Sequence, residues 1–299
     1  MIQENRQPTQ RTDQRMVHTV EYCRDDPDNA SPPRHGQHYH NGYEMIYIQS
    51  GEAEVTVDRS VYLAKAPCLL IISNLEEHQI RVMERPYVRY YTILTPKLTD
   101  RLIANPVLMS VFKNRAGGFR HVIPAEGLQD AAEAFFQGLI SEEEEHGELQ
   151  NELSACLLKA LLIRLYRREK GLFSAARRTV RPEICQIQQY IEDNYAQDLK
   201  ISQIADQFYI NLYYLSHSFK EYTGYSPKQY LMLNRISGAK ELLVATHLSV
   251  SQIAARCGFS DTNNFIRSFK SECGMTPRQY RTEQITSVQP SQHQDAEPI

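Results

Sequence analysis

The side chains most able to do chemistry sit in one short stretch, HYHNGYE, and at one position beyond it. His38 and His40 are two apart, Glu44 follows four residues later, and His78 lies in SNLEEHQI. Residues two apart on a strand point to one face, and Glu44 keeps the same parity, so a strand here would send both imidazoles and the carboxylate into one site. Three imidazoles and a carboxylate suit Fe, Mn, Ni or Zn. The same set also suits a polar pocket for a small effector, or a buried hydrogen-bonded cluster with a structural role. With Arg34 added, the group offers donors and acceptors without an apolar slot, which favours a sugar or another polar metabolite. We therefore take Arg34, His38, His40, Glu44 and His78 as the candidate effector-binding residues and assign no cofactor. A metal held by His38, His40, Glu44 and His78 is the alternative. The chain has no phosphate loop and no nucleophile elbow, so an enzyme is not expected, and the run Glu142 to Glu145 reads as an exposed helix face.

A second group of chemistry-bearing residues occurs twice. Residues 201–230, ISQIADQFYINLYYLSHSFKEYTGYSPKQY, and 250–280, VSQIAARCGFSDTNNFIRSFKSECGMTPRQY, are two copies of one unit. Phe219, Lys220, Gly224, Pro227, Gln229 and Tyr230 all recur at an offset of 50, self-similarity far beyond chance. Each copy parses as helix, turn, helix. Ser202 and Ser251 are placed to cap the first helix. The second helix begins after Asn211, or in the second copy after Ser260 or Asp261, and ends near Gly224 or Gly274. In the first copy Leu215, Phe219 and Tyr222 form a buried stripe, opposite Tyr213, Ser216, His217 and Lys220. In the second, Phe265 and Phe269 face inward, leaving Asn263, Ile266, Arg267 and Lys270 outward with Thr262 and Asn264 near the helix start. Such donor-rich faces can read base edges in a major groove, with a Lys at the far end meeting phosphate.

These stretches carry a resemblance. SQIA...FK...G-S-P-Q-Y in the first copy and IAARCGFSDTNNFIRSFKSECGMTPRQYR in the second, joined by a helix containing NRISGAKELL, resemble the DNA-binding domain of the AraC/XylS family of bacterial transcription regulators. The resemblance covers about a third of the chain. It implies that Tyr213, Ser216 and His217, and in the second unit Thr262, Asn263, Asn264 and Arg267, face bases of double-stranded promoter DNA. It further implies that Lys220 and Lys270, with Asn211 and Ser260, meet phosphates. The spacing H-x-H-x3-E-x6-G from His38 to Gly51 resembles the first cupin motif, with His78 where the second motif supplies a histidine. The second motif otherwise departs from the pattern, Ala66 and Pro67 standing where Gly-Asp is usual. The joint resemblance implies a regulator, more often an activator, that contacts RNA polymerase and forms a homodimer. A cupin enzyme with an attached DNA-binding domain is the rival reading.

The elements that must position these residues follow from patterning. From about Gly42 to Leu94, short β-branched and aromatic runs alternate (YEMIYIQS, a turn at Gly51, AEVTVD, SVYLA, PCLLIIS, HQIRVM, YVRYYTIL), which predicts a β-sandwich or barrel. Residues 126–146 and 148–168 carry helical spacing, for example Leu149, Leu153, Cys156, Ala160 and Ile163. GLFSAARRTVRP reads as an interdomain linker with the boundary near Arg177. A helix over about 228–246 joins the two repeats, with Leu231, Ile236, Ala239, Leu242 and Leu243 on its apolar side, and Arg235 is read as structural. The fold class expected is α+β: a cupin-like N-terminal β-barrel over 16–124, a helical dimerisation or relay region over 125–176, and an all-α domain with two helix-turn-helix units over 177–285. Residues 1–15 and 286–299 are polar and expected to be disordered.

Composition limits the partners. No apolar run is long enough to span a membrane and the N-terminus lacks a signal-peptide core, so a cytoplasmic protein with no membrane partner is expected. The six cysteines form no C-x-x-C pair and read as reduced thiols, mostly core filler. The net charge is −3, and residues 181–285 carry 11 Lys and Arg against 10 Asp and Glu. DNA affinity must then rest on a few placed donors rather than a basic field.

Overall fold

Gly51 does not turn the chain back. A computed structural model, which describes residues 15–26, 38–57, 60–113, 115, 119–173 and 182–288, places it inside one long strand at a bulge. Its φ of 85° and a Cβ position 2.6 Å from the Glu84 carbonyl oxygen both demand glycine. The runs on either side therefore join as β2 (Tyr43–Val57), and the two runs read from His78 to Leu94 likewise form one strand, β5 (His78–Leu94). With β1 (Val17–Asp25), β3 (Ser60–Lys65), β4 (Cys68–Ile72) and β6 (Val122–Pro124), they make an antiparallel sheet in the order β1-β5-β2-β4-β6, β3 pairing with β2. Two short helices absent from the sequence reading, α1 (Pro96–Ile103) and α2 (Pro106–Met109), follow β5, and α3 (Gln129–Glu145) and α4 (Gln150–Arg168) follow β6.

Strand alternation sorts the sheet into two faces. Met45, Tyr47, Leu69, Ile71 and Tyr90 pack toward the helices, meeting Phe112, Phe135, Phe136, Leu158 and Leu162 in one core. Ile46, Ile48, Val55, Leu70 and Tyr87 line a second cluster on the inner face, and Glu44 shares their parity at the mouth of β2.

The helical spacing read over 148–168 is present as α4, but the apolar residues that showed it are not the core face. Leu149, Leu153 and Ile163 are 74%, 44% and 39% exposed, and Cys156 and Ala160 are exposed with them. The core face is Ala155, Leu158, Leu161, Leu162 and Leu165. A helix apolar on both sides gives two stripes of equal period, and periodicity alone does not say which one meets the sheet. The cysteines are likewise less buried than expected: all are free, but only Cys68 and Cys257 are buried, and Cys156 is exposed.

The chain divides into Met1–Pro182 and Glu183–Ile299. The second unit holds α5 (Pro182–Asn194), α6 (Ile201–Gln207), α7 (Leu212–Thr223), α8 (Pro227–Ala245), α9 (Val250–Arg256), α10 (Thr262–Cys273) and α11 (Pro277–Val288). The expected boundary at Arg177 and the N-terminal segment up to residue 14 lie outside the described residues. The tail expected from Thr286 begins inside α11, and from residue 289 onward it too lies outside them.

Capping fixes the helix-turn-helix ends, at positions partly different from those expected. Ser249, not Ser251, caps α9, because Gln252 three residues on completes a capping box, while Lys200 precedes α6 without a side-chain cap. Ser226 with Gln229 does the same for α8. Asn211 and Asp261 accept from the first amides of α7 and α10, and Gly224 and Gly274 end those helices at φ 84° and 72°.

Candidate functional site

The histidine cluster is built by one backbone bridge and one carboxylate. His38 lies in an extended segment rather than in a regular strand, and its amide and carbonyl pair with those of His78 at 2.9 and 2.8 Å. Glu44, 7% exposed at the start of β2, places one carboxylate oxygen 3.0 Å from His78 Nε2 and 3.2 Å from His40 Nε2. The ring centroids of His38 and His78 are 4.3 Å apart, and those of His40 and His78 5.2 Å. One ligating nitrogen from each of His38, His40 and His78 falls within 4.8 Å of the others. Four of the five residues singled out from sequence therefore meet. The fifth, Arg34, lies outside the described residues.

Protonation follows from the partners. The Glu76 carbonyl only accepts, so His78 Nδ1, 2.9 Å away, donates to it. Burial alone would lower the His78 pKa, but the Glu44 hydrogen bond and charge, with further support from Glu76, raise it on balance. Burial alone would raise the Glu44 carboxyl, yet hydrogen bonds from His40 and His78 hold it well below the ordinary carboxylate range. The buried Glu44 carboxylate and a proton on His78 Nε2 thus stabilise each other. A divalent cation would have to take the place of that proton on Nε2, with the Nδ1 bond to Glu76 already orienting the ring as an outer-shell partner does in metal sites.

Glu76 is itself bolted down. Its carboxylate accepts from Arg115 Nη1 at 2.7 Å, lies 2.9 Å from His121 Nε2, and receives the Ser73 amide at 2.7 Å. His121 continues to the Tyr62 hydroxyl at 3.1 Å, and Arg115 lies 4.2 Å from the centroid of the Phe119 ring. This network fixes the loop that presents His78.

Sequence reasoning missed His18, at the register shift of β1, and the inner-face residues of β5. His18 on β1 has a lowered pKa, caused by packing around its ring and by the neighbouring His40. Tyr87 and Tyr91 belong to the inner cluster, and Arg89 between them shares their face. The available signal was the period-two pattern of YVRYYTIL, which places these three residues together.

In the second unit the expected faces are present. Tyr213 is 80% exposed, and His217, Lys220, Asn263, Asn264, Arg267 and Lys270 are exposed, while Leu215, Phe219, Phe265 and Phe269 are buried. Ser216 and Thr262 are half-buried, and the Ser216 hydroxyl donates to the Leu212 carbonyl at 2.9 Å, which leaves it acceptor capacity only. Tyr222, expected in the buried stripe, is half-buried. Arg235 is structural: Nε and Nη2 donate to the carbonyls of Tyr195 and Gln197 at 2.8 and 2.7 Å. Arg281 clamps Leu243 and Leu248 in the same way at 3.0 and 2.6 Å, so each arginine ties down the segment that precedes one helix-turn-helix.

Residues 28–162 match the model of the AraC-like ligand binding domain, and residues 204–283 match that of a helix-turn-helix domain. Over 248 residues the chain is 32% identical to the HTH-type transcriptional activator RhaS of Escherichia coli (strain SMS-3-5 / SECEC), covering 82% of this chain and 87% of that one. This chain belongs to the AraC/XylS family of transcription regulators. The same activator of Enterobacter sp. (strain 638) is 25% identical over 285 residues, covering 92% of this AraC/XylS chain and 99% of its relative. The fold is shared with ToxT of Vibrio cholerae, whose 1.65 Å structure aligns with a TM-score of 0.58 at 16% identity, over 90% of this chain and 98% of that one. As in other AraC/XylS regulators, a ligand-binding sheet domain precedes a helix-turn-helix domain, and the relatives are transcription activators. Among the described residues no helix is long and apolar enough to cross a membrane.

Proposed function

We propose that this regulator is a cytoplasmic activator that binds double-stranded promoter DNA with two recognition helices, contacts RNA polymerase, and responds to a small polar effector of the sugar class. The proposed base-reading residues are Tyr213, Ser216 and His217 on α7 and Thr262, Asn263, Asn264 and Arg267 on α10, with Lys220 and Lys270 on phosphates. The effector domain spans 16–124 and the DNA-binding domain 177–285. His38, His40, Glu44 and His78, with Arg34, contact the effector. The observation that carries this reading is the pairing, in one chain, of two capped recognition helices with a buried polar cluster on the inner face of the sheet. Control requires that the effector bind two arrangements of the chain with different affinity. Binding-site selection with the full chain, repeated with and without a panel of sugars, tests it. Recovery of one extended motif whose occupancy or transcription changes with a sugar is expected, and recovery of random sequence would reject it.

The exposed stripe of α4 supports a homodimer. Leu149, Leu153, Cys156, Ala160 and Ile163 follow a 4-3-4-3 spacing, the seam of a coiled coil. An antiparallel second copy would set Glu152 against Lys159 of its partner twice over, whereas a parallel copy would set Lys159 against Arg164. Charge therefore favours the antiparallel pair.

The three converging imidazoles favour one further reading, a metal-dependent protein of the cupin type. Metal analysis of the purified full chain decides it: stoichiometric metal, lost in both His38→Ala and His40→Ala, would support that reading.

A further inference from the structure

The inner face of the sheet holds a cation that no carboxylate pairs with among the described residues. Arg89 lies between Tyr87 and Tyr91 on β5, its guanidinium carbon 5.9 and 5.3 Å from their ring centroids. It forms no ion pair among the described residues. The acids that share this face are engaged elsewhere. Glu44 is bonded by two imidazoles, Asp25 by Arg85 at 3.1 Å, and Glu21 is a hydrogen-bonding neighbour of Tyr91. Beside Arg89, the Tyr87 hydroxyl is buried and lacks a partner in hydrogen-bonding geometry, although Tyr87 is only 3% exposed. A half-buried guanidinium facing that phenol and no carboxylate among the described residues, with the phenol's own proton given to no acceptor, is an arrangement that awaits acceptor oxygens. Ile48, which pairs with Arg89, is four residues along β2 from Glu44, so this corner and the histidine cluster lie along one strand-lined face.

We propose that the effector is an acidic sugar whose carboxylate is bound by Arg89 and the Tyr87 hydroxyl, its hydroxyl groups extending toward the Glu44–histidine cluster. This rests on the reading of the sheet domain as a sugar-effector domain and narrows it from neutral sugars to uronates and aldonates. A neutral sugar would leave the guanidinium without a counter-charge. A carboxylate matches its paired donors and accepts the phenol proton as well.

The test uses the full chain in thermal-shift and calorimetric titrations with matched probes: galactose against galacturonate, and glucose against glucuronate and gluconate. At least one acid is expected to raise Tm by several degrees where its neutral counterpart does not. Tyr87→Phe should weaken that binding about tenfold and Arg89→Gln about a hundredfold, with Arg89→Lys between Tyr87→Phe and Arg89→Gln. The Tm of each unliganded variant shows whether it still folds, and Tyr87→Phe, which removes one oxygen, keeps the test usable if Arg89→Gln does not. A neutral sugar that binds as tightly as its acid, or binding of the acid unchanged in Tyr87→Phe and Arg89→Lys, overturns the acidic-sugar assignment and leaves the sugar-effector reading standing. Binding by neither series overturns both.

Discussion

Gly258 packs directly against Tyr195: a Cβ at position 258 would lie 2.7 Å from the Tyr195 carbonyl oxygen and 2.9 Å from the Ala196 carbonyl carbon. Gly258 belongs to the turn of the second helix-turn-helix and Tyr195 to the segment before the first, so this contact sets the two reading units against each other. The same Tyr195 carbonyl accepts from Arg235, and the Tyr195 ring covers Gly238, where a Cβ would meet its hydroxyl at 2.6 Å. Gly238, inside α8, therefore has a packing role.

Gly258→Ala should therefore destabilise the DNA-binding unit by about 2 to 4 kcal/mol, since it combines a left-handed φ with a backbone clash. Gly224, with φ of 84° but nothing within 4 Å of its Cβ position, is the control. Gly224→Ala should cost about 1 kcal/mol. Calorimetry of the two variants checks the order, and equal losses would show that the contact with Tyr195 contributes nothing.

On α10, Arg267→Ala should relax base preference at one position, by about 1 to 3 kcal/mol of discrimination. Lys270→Ala should weaken all sequences alike and lower the salt dependence by about one counterion. Competition binding against single-base variants of the selected site, at two salt concentrations, separates the two. Uniform weakening by Arg267→Ala would remove it from the base-reading set.

The antiparallel dimer is checked by charge reversal. Glu152→Lys and Lys159→Glu should each weaken self-association by about 1 to 2 kcal/mol, roughly tenfold in Kd, and the double reversal should restore it. Sedimentation equilibrium of the full chain reads all three. A wild-type chain that stays monomeric at micromolar concentration would end the proposal.

Glu76 predicts a pH dependence. Burial would raise its carboxyl, but Arg115, His121 and the Ser73 amide outweigh that and hold it at about 2 against an ordinary value of 4.5. Because the folded value is the lower one, the stabilisation is fully present above pH 4.5 and is lost as pH falls toward 2. The shift corresponds to about 3 kcal/mol. Urea unfolding between pH 5 and pH 2 should show this loss in the wild type but not in Glu76→Gln, which is less stable at neutral pH because Arg115 loses its carboxylate.

Much of the second unit is legible in the sequence. Repeated local signals encode it: Asn211, Asp261, Gly224 and Gly274 act within a turn of their own helices, and alternating buried and exposed positions fix which face of α7 and α10 looks outward. Ser202 and Ser251 misled because a serine two residues into a helix resembles one that caps it, and only the Ser249–Gln252 pair distinguishes them. The histidine cluster was legible as a set of residues but not as a local structure. His38 reaches it through a bridge to His78, forty residues away in sequence, rather than through strand parity.

By itself the sequence determined the element types, the doubled DNA-reading unit and the residue types able to bind a polar effector, since each depends on neighbours within a few positions. Tertiary structure alone decided which of two apolar stripes of α4 is buried, that Gly51 bulges rather than turns, that Glu44 is already held by two imidazoles, and that Arg89 meets no carboxylate in an ion pair among the described residues. These outcomes depend on what long-range pairing brings opposite each side chain, and burial makes the match or mismatch of charge there cost several kcal/mol.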